Sequence, residues 1–264
     1  MRIRQLMLGA IGFVVAIVLF GCASDSDLAG RPFGETESLY HEPKNTAEFI
    51  EIAQDATLHV FCEVEDEDLP YAGSGFHIEV GDSRYIITNA HVIAACIDQA
   101  GELVVYDSED NAHVVTLLSY RHVSDWRGEW DVAVLSGRDF GRALTITRED
   151  PQLGHWSMAV GWPSINEHWY QQVSPGKILG LSPDGVIVSN GVSAPGMSGG
   201  PLLNSKGELI GIHYARTFDE TRRALAQPVE NLCLVAFVCD EWGKPAFPLE
   251  FPENPIKFFK EMED

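Results

Sequence analysis

Short segments rich in β-branched and aromatic residues recur along the chain from residue 57 onward, and turn-forming residues separate most of them. Many short strands at regular intervals are typical of sandwiches and closed barrels, whereas βαβ units need helical segments between the strands. A helical pattern of useful length is found only near the C-terminus, where residues 254–262 predict one short helix. The sequence therefore predicts an all-β fold with a short C-terminal helix. The predicted strands are 57–64, 75–80, 84–88, 103–106, 114–119, 132–135, 157–161, 177–180, 185–189, 208–213 and 223–227.

The composition is strongly acidic, with 39 Asp and Glu residues against 18 Lys and Arg residues and a formal net charge of −21. A nucleic-acid partner needs a basic surface, and an anionic membrane face repels an acidic chain, so neither is expected to bind through charge. The histidines lack metal-ligand spacing, and we expect no metal and no cofactor. A hydrophobic fraction of 45% in 264 residues excludes bulk disorder.

The N-terminus has the features of an export signal. Residues 1–5 are basic, the uncharged run 6–20 is shorter than the roughly 20 residues that cross a bilayer, and Gly21-Cys22 follows. The sequence LFGC resembles the lipobox of bacterial lipoproteins, in which the cysteine is lipidated and becomes the first mature residue; an uncleaved signal anchor is the alternative. Ala23 after the cysteine resembles outer-membrane sorting in enteric-type bacteria. We therefore expect a signal peptide at 1–21, lipidation of Cys22, a flexible tether at 22–46, and a domain at 47–264 held at the cell envelope outside the cytoplasm.

Apart from Cys22, the sequence has four cysteines, an even number, and the expected export would bring them into a compartment where disulfides persist. Four cysteines allow three pairings, and proximity in the sequence favours Cys233 with Cys239 and therefore Cys62 with Cys96. Free buried thiols are the alternative.

The most informative motif is GMSGGP at residues 196–201. A serine that performs acyl transfer must project from a tight turn whose backbone N–H groups face the developing oxyanion, and glycine permits the backbone angles that such a turn needs. The motif resembles the G-x-S-G-G-P nucleophile loop of trypsin-like serine proteases. It also fits the G-x-S-x-G elbow of α/β-hydrolases, but that elbow leads into a helix and its histidine comes last, whereas Gly199-Gly200-Pro201 opposes a helix and only His213 follows Ser198.

Two further motifs complete the order His, Asp, Ser. Residues 85–93 read YIITNAHVI and residues 129–135 read EWDVAVL, so that His91 follows one apolar strand and Asp131 precedes another. These resemble the segments that carry the general base and the orienting acid in the same protease family. The resemblance implies a catalytic triad of His91, Asp131 and Ser198. Asp125 is the nearest substitute acid, but no apolar strand follows it.

The resemblance covers roughly residues 56–236 and is closest to the Htr/Deg-type bacterial protease domain. Segments such as GSGF at 73–76, AVGWP at 159–163 and VSPGKILG at 173–180 carry it beyond the triad. It implies the chymotrypsin-like fold of two antiparallel β-barrels, at about 56–140 and 152–236, with an oxyanion hole at Gly196 and Ser198. Because the sequence ends at Asp264, we expect no PDZ domain.

The same resemblance places Val192, Ser193, His213 and Arg216 at the primary substrate pocket. Val192 stands where trypsins have an acidic residue, which disfavours cleavage after Lys or Arg. Ser193 and His213 match residues that bind the substrate carboxylate in glutamyl endopeptidases, since a histidine and a hydroxyl can hydrogen-bond a carboxylate. The alternative is a structural His213 lining a small apolar pocket.

We therefore expect an exported, membrane-anchored serine endopeptidase acting on protein or peptide substrates, with small apolar or acidic residues on the acyl side of the scissile bond. The alternative is a catalytically silent pseudoprotease that serves as a protein-binding module.

Overall fold

Strands dominate the structure, a computed structural model that describes residues 37–65, 71–122, 131–137, 140–165 and 168–257. The predicted signal peptide, Cys22, Asp125 and most of the predicted tether lie outside the described residues. Two α-helices are described, α1 (Thr46–Asp55) and α2 (Ala94–Gln99), with 3-10 helices at Glu37–Tyr40, Ala90–Val92 and Val229–Leu234. The strands are β1 (Thr57–Glu63), β2 (Tyr71–Val80), β3 (Ser83–Thr88), β4 (Glu102–Tyr106), β5 (Ala112–Val114), β6 (Leu117–His122), β7 (Asp131–Ser136), β8 (Ala143–Leu144), β9 (Trp156–Gly161), β10 (Ser164–Ile165), β11 (His168–Trp169), β12 (Gln172–Leu181), β13 (Ile187–Val192), β14 (Pro201–Leu203), β15 (Leu209–Arg216), β16 (Arg223–Pro228), β17 (Phe237–Cys239) and β18 (Pro245–Pro248).

The strands form two main sheets that follow each other along the chain. The first has eight strands in the order β5-β4-β1-β2-β3-β7-β6, with β8 paired to β2, and its path is open among the described residues. The second is a closed barrel in the order β12-β13-β16-β15-β14-β9. The predicted all-β class is confirmed, and the second predicted barrel is a closed one.

The two sheets share an apolar core. One buried cluster contains Phe76 and Ile87 of the first sheet together with Met158 and Leu209 of the barrel. Each sheet also has a buried cluster of its own. The cluster of the first sheet contains Leu58 and Ile93, and the cluster of the closed barrel contains Ile178 and Met197. Because the side chains of the shared cluster are removed from water, apolar packing holds the two sheets together.

The predicted absence of helices before the C-terminus is wrong at α1 and at the shorter α2. Asn45 caps α1 by accepting from the Glu48 N–H at 3.5 Å, and Phe49 packs edge-on against Trp156 with ring centroids 5.3 Å apart. Only Phe49 and Ala53 of the helix are buried, so the periodic signal is too short to read in the sequence. The folded region also begins before the predicted boundary at residue 47, because Leu39 in the first 3-10 helix is buried.

The structure joins Cys62 to Cys96, linking β1 to α2, and Cys233 to Cys239, with Cα atoms 5.6 and 5.5 Å apart. At the C-terminus, residues 255–257 are helical and the rest of the predicted terminal helix lies outside the described residues. Among the helices that the structure describes, none has the length and apolar character to cross a membrane.

Candidate active site

His91 and Asp131 are brought together where β3 ends and its paired strand β7 begins. His91 lies in the 3-10 helix that follows β3, and Asp131 is the first residue of β7, which pairs with β3. The His91 Nδ1 atom contacts Asp131 Oδ2, and the His91 backbone N–H donates to Asp131 Oδ1 at 2.9 Å. The Asp131 side chain is 8% exposed and the His91 side chain 37% exposed. A buried carboxylate thus fixes an imidazole whose other face reaches solvent.

The backbone of Asp131 is anchored by residues that the sequence motifs did not single out. Its carbonyl accepts from Asn89 Nδ2 at 2.6 Å and from Gln227 Nε2 at 3.1 Å, and its N–H donates to Gln227 Oε1 at 3.3 Å. Gln227 lies on β16 of the closed barrel, so this amide joins the two sheets beside the His–Asp pair. No sequence signal marked it, since a lone Gln in a strand is unremarkable.

The loop that carries Ser198 needs glycine at three positions. Gly196 and Gly199 have φ angles of +96° and +86°, which favour glycine. A Cβ atom on Gly196, Gly199 or Gly200 would stand 2.5, 2.0 or 2.1 Å from a backbone oxygen of a neighbouring segment. The glycines of the motif are therefore required by close backbone packing as well as by turn geometry.

The backbone N–H groups of the turn fall into two pairs. The Gly199 N–H donates to the His213 carbonyl at 2.7 Å and the Gly200 N–H to the Met197 carbonyl at 3.1 Å. Within the described part of the chain, the Gly196 and Ser198 N–H groups donate to no protein acceptor. Two free N–H groups on one turn are the donor pair that an oxyanion requires.

Among the described residues, the Ser198 hydroxyl makes no hydrogen bond to His91. Its Oγ donates to the Tyr214 carbonyl at 3.2 Å. Burial, followed by the nearby Asp131 charge, raises the pKa of Tyr214.

Met197, just before the serine, is fully buried and packs in the interior of the closed barrel with Ile178 and Leu202. The side chain at this position therefore anchors the loop by hydrophobic packing.

The four predicted pocket residues lie on neighbouring segments of the barrel. Val192 ends β13 and pairs with Arg223 of β16, Ser193 follows it and is buried, and Arg216 ends β15 opposite Ala224. His213 on β15 is buried, and neither ring nitrogen makes a hydrogen bond of normal geometry within the described residues. Burial lowers the pKa of His213 to about 4; the Met197 backbone opposes this shift and the charge of His91 adds to it.

The described residues contain no group of three or more His, Cys, Asp or Glu side chains placed to hold a metal ion. The chemistry available at this site is that of the imidazole, the carboxylate, the hydroxyl and the two backbone N–H groups.

Comparison with known proteins gives concordant matches. A family model described as a trypsin-like peptidase domain matches residues 73–212. The chain is 34% identical over 174 residues to HhoA of Synechocystis sp., which is named as a serine protease. The aligned region is 60% of this chain and 40% of that protein. The chain is 32% identical over 145 residues to a DegP-like periplasmic serine endoprotease, so named, of Pseudomonas savastanoi pv. phaseolicola, covering 53% of this chain and 28% of the relative. A serine endoprotease structure from Yersinia pestis aligns with a TM-score of 0.56 and 25% identity over 71% of this chain and 64% of that one. The chain thus matches less than half the length of these two curated relatives.

Proposed function

The chain belongs to the trypsin-like peptidase family, and on that premise we propose that it is an exported, membrane-anchored serine endopeptidase. Ser198 is the nucleophile, His91 the general base and acid, and Asp131 the residue that orients the base. The observation that carries this proposal is the two-point contact between Asp131 and His91, beside a glycine turn that presents Ser198 and two free N–H groups.

The contacts of these residues support a definite sequence of steps. The Ser198 Oγ–H bond breaks as His91 Nε2 takes the proton, and Oγ forms a bond to the carbonyl carbon of the scissile peptide. The carbonyl oxygen becomes an oxyanion, which accepts hydrogen bonds from the Gly196 and Ser198 N–H groups. Collapse of this intermediate breaks the C–N bond, and His91 returns the proton to the leaving amine. His91 then takes a proton from a water molecule, whose oxygen forms a bond to the acyl carbon. Collapse of this second intermediate breaks the bond between the acyl carbon and Ser198 Oγ, and His91 returns the proton to Oγ.

Asp131 determines which nitrogen of His91 accepts the proton. A carboxylate can only accept hydrogen bonds, so its Oδ2 keeps the imidazole proton on Nδ1 and leaves the Nε2 lone pair free. The same carboxylate stabilises the imidazolium formed after proton transfer.

Labelling by a fluorophosphonate probe tests the proposal. We expect covalent labelling of the folded protein and hydrolysis of casein, both abolished in Ser198→Ala, while Ser205→Ala, in the turn between β14 and β15, retains both. A folded protein that neither labels nor cleaves casein would contradict the proposed function.

The second candidate, a catalytically silent binding module, is favoured by one observation. The Ser198 hydroxyl donates to the Tyr214 carbonyl rather than to His91. Catalytic hydrogen bonds often form only when substrate is bound, and the Ser198 hydroxyl can change direction by rotation about its Cα–Cβ bond. The labelling experiment separates the two candidates, since a silent module retains Ser198 without labelling.

For the pocket we propose a preference for small apolar or acidic residues on the acyl side. Val192 is 51% exposed at the rim, and the neutral ring of His213 supplies one N–H donor but no charge near neutral pH. Arg216, half-buried at the end of β15, is the positive group for an acidic side chain. Chromogenic peptides ending in Ala, Val and Glu decide between the two: faster cleavage after Glu, lost in Arg216→Gln, supports the acidic preference, and faster cleavage after Ala or Val supports the apolar one.

Anchoring through Cys22 is proposed from the sequence alone. Labelled fatty acid is expected to be incorporated into the full-length protein and lost in Cys22→Ala. Incorporation that persists in the variant would contradict lipidation at this cysteine.

A further inference from the structure

We propose that Ser74 is a positioning residue for the oxyanion hole, acting from the first sheet on the backbone of the Ser198 loop. The proposal rests on the proposed function, because it assigns Ser74 a role in stabilising the oxyanion. Ser74 is fully buried in β2, and within the described part of the chain it makes no hydrogen bond to a predicted triad side chain.

Every polar atom of Ser74 is engaged at this site. Its N–H donates to the Ser198 carbonyl at 2.7 Å, and its carbonyl accepts from Thr88 Oγ1 at 2.7 Å. Its Oγ contacts the Gly196 carbonyl and the Trp162 N–H, both at 2.8 Å. One residue of the first sheet therefore holds both ends of the short turn from Gly196 to Ser198.

The direction of the two Oγ hydrogen bonds is fixed by chemistry. The backbone N–H of Trp162 can only donate, so Ser74 Oγ must accept there. A hydroxyl has a single proton, and the Gly196 carbonyl can only accept, so that proton points to Gly196. Trp162 is itself held by stacking on His59, with ring centroids 5.1 Å apart and planes 5° apart.

These contacts fix the peptide planes on both sides of Gly196. The Gly196 carbonyl is held by Ser74 Oγ, and the Pro195 carbonyl accepts from the Ser164 N–H at 3.2 Å. In a trans peptide the N–H points opposite to the carbonyl, so holding Pro195 O against Ser164 directs the Gly196 N–H away from it, where it has no protein acceptor among the described residues. A rotation of the Pro195–Gly196 peptide would remove the Gly196 N–H from the oxyanion hole and place the Pro195 carbonyl oxygen there.

The packing leaves room for this hydroxyl. A Cβ atom on Gly161 would stand 2.8 Å from Ser74 Oγ and 2.9 Å from the Met197 Cα. Because Gly161 has no side chain, the Ser74 hydroxyl and the Ser198 loop can approach β9 closely.

The experiment compares Ser74→Ala with Ser119→Ala. Ser119 is a matched control, because its buried Oγ donates to the Val235 carbonyl at 2.7 Å, outside the Ser198 loop. In Ser74→Ala we expect acylation by 4-nitrophenyl acetate and labelling by a fluorophosphonate, whose phosphoryl oxygen occupies the hole, to slow by about 10- to 100-fold. The dissociation constant of the ester, taken from the concentration dependence of the acylation burst, should stay within about twofold, since an oxyanion contact acts on the transition state. Ser74→Thr, which keeps the hydroxyl, should label faster than Ser74→Ala.

Hydrogen exchange gives a second readout that does not depend on activity. Peptides spanning residues 190–200 should exchange faster in Ser74→Ala than in the wild type, and not in Ser119→Ala. If the wild type proves inactive, the proposed function fails while this comparison still decides the role of Ser74. Wild-type acylation and exchange in Ser74→Ala, equal slowing in Ser119→Ala, or a Ser74→Ala protein that alone fails to fold would each overturn the proposal.

Discussion

Asp131 binds His91 through both of its carboxylate oxygens, one to the backbone N–H and one to the imidazole Nδ1. The two contacts fix the position of the 3-10 helix and the orientation of the ring at the same time. Gln227 from the other sheet then holds the Asp131 backbone, so the orientation of the imidazole depends on the packing of both sheets.

Replacing Asp131 with Asn is expected to reverse the imidazole tautomer. If the amide oxygen keeps the contact to the His91 N–H, the amide NH2 faces Nδ1 and donates to it, which moves the ring proton to Nε2. Nε2 can then no longer accept the serine proton, and we expect esterase and caseinase activity to fall by about 10³- to 10⁴-fold in a folded protein. Asp82→Asn, in the exposed turn between β2 and β3, is the control and should keep full activity. Activity of Asp131→Asn within tenfold of the wild type would contradict the assigned role.

Gly199→Ala is expected to disrupt the nucleophile loop through a backbone clash. The added Cβ would stand 2.0 Å from the Ser74 carbonyl oxygen at a φ of +86°. Gly81→Ala is the control that shows the effect of backbone strain without a steric clash. Gly81 has a φ of +63°, and a Cβ atom there would meet nothing within 4 Å. We expect Gly81→Ala to lose only about 1–2 kcal/mol in urea denaturation and to label normally. Gly199→Ala should lose more stability and fluorophosphonate labelling, and equal behaviour of the two variants would refute the clash.

The strands were predictable from the sequence because local residue type determines them. β1, β3, β4, β7 and β9 each coincide with a predicted segment to within one or two residues. The missed helix α1 depends instead on packing between distant residues, Phe49 on Trp156, which no local pattern reports. Likewise β17 is only three residues long and β18 begins and ends with proline, so neither shows a strand signature although the two pair.

At the site, the motifs located residues whose identity the local backbone demands. Glycine at 196, 199 and 200 is required by close approaches of other backbone atoms, and this constraint leaves a recognisable pattern. The contacts of Gln227 and Ser74 were not predicted, although Ser74 lies in the GSGF segment, because their partners lie 96 and 122 residues away in the sequence and ordinary polar residues supply the contacts.

The two disulfides are expected to stabilise the fold unequally. Cys62–Cys96 spans 34 residues and Cys233–Cys239 only 6. In the chain-entropy model a longer closed loop restricts the unfolded chain more, which gives about 4 kcal/mol for the first bond and about 2 kcal/mol for the second. Paired Cys→Ala variants compared by urea denaturation test this order. An equal or larger loss on removing Cys233–Cys239 would contradict it.

His77 is expected to make the protein less stable as the pH falls below neutral. It is fully buried in β2, and neither ring nitrogen has a hydrogen-bond partner among the described residues. Phe140 packs edge-on against the ring at 4.8 Å. Burial, followed by the charges of Arg84 and His113, lowers the pKa of His77 from 6.5 to about 4.

The sign of the effect follows from which state takes up the proton. As the pH falls through 6.5 the unfolded chain protonates His77, whereas the folded protein keeps the ring neutral until about pH 4. The free energy of unfolding should therefore fall by up to about 1.4 kcal/mol per pH unit from this residue within that window. His77→Leu removes the titrating group, so urea denaturation at neutral pH and at pH about 5 should show a shallower pH dependence than in the wild type. His168→Leu on the exposed surface is the control and should keep the wild-type dependence. An unchanged pH dependence in His77→Leu would mean that other groups, such as the buried His59 with its pKa lowered to about 3, carry the effect.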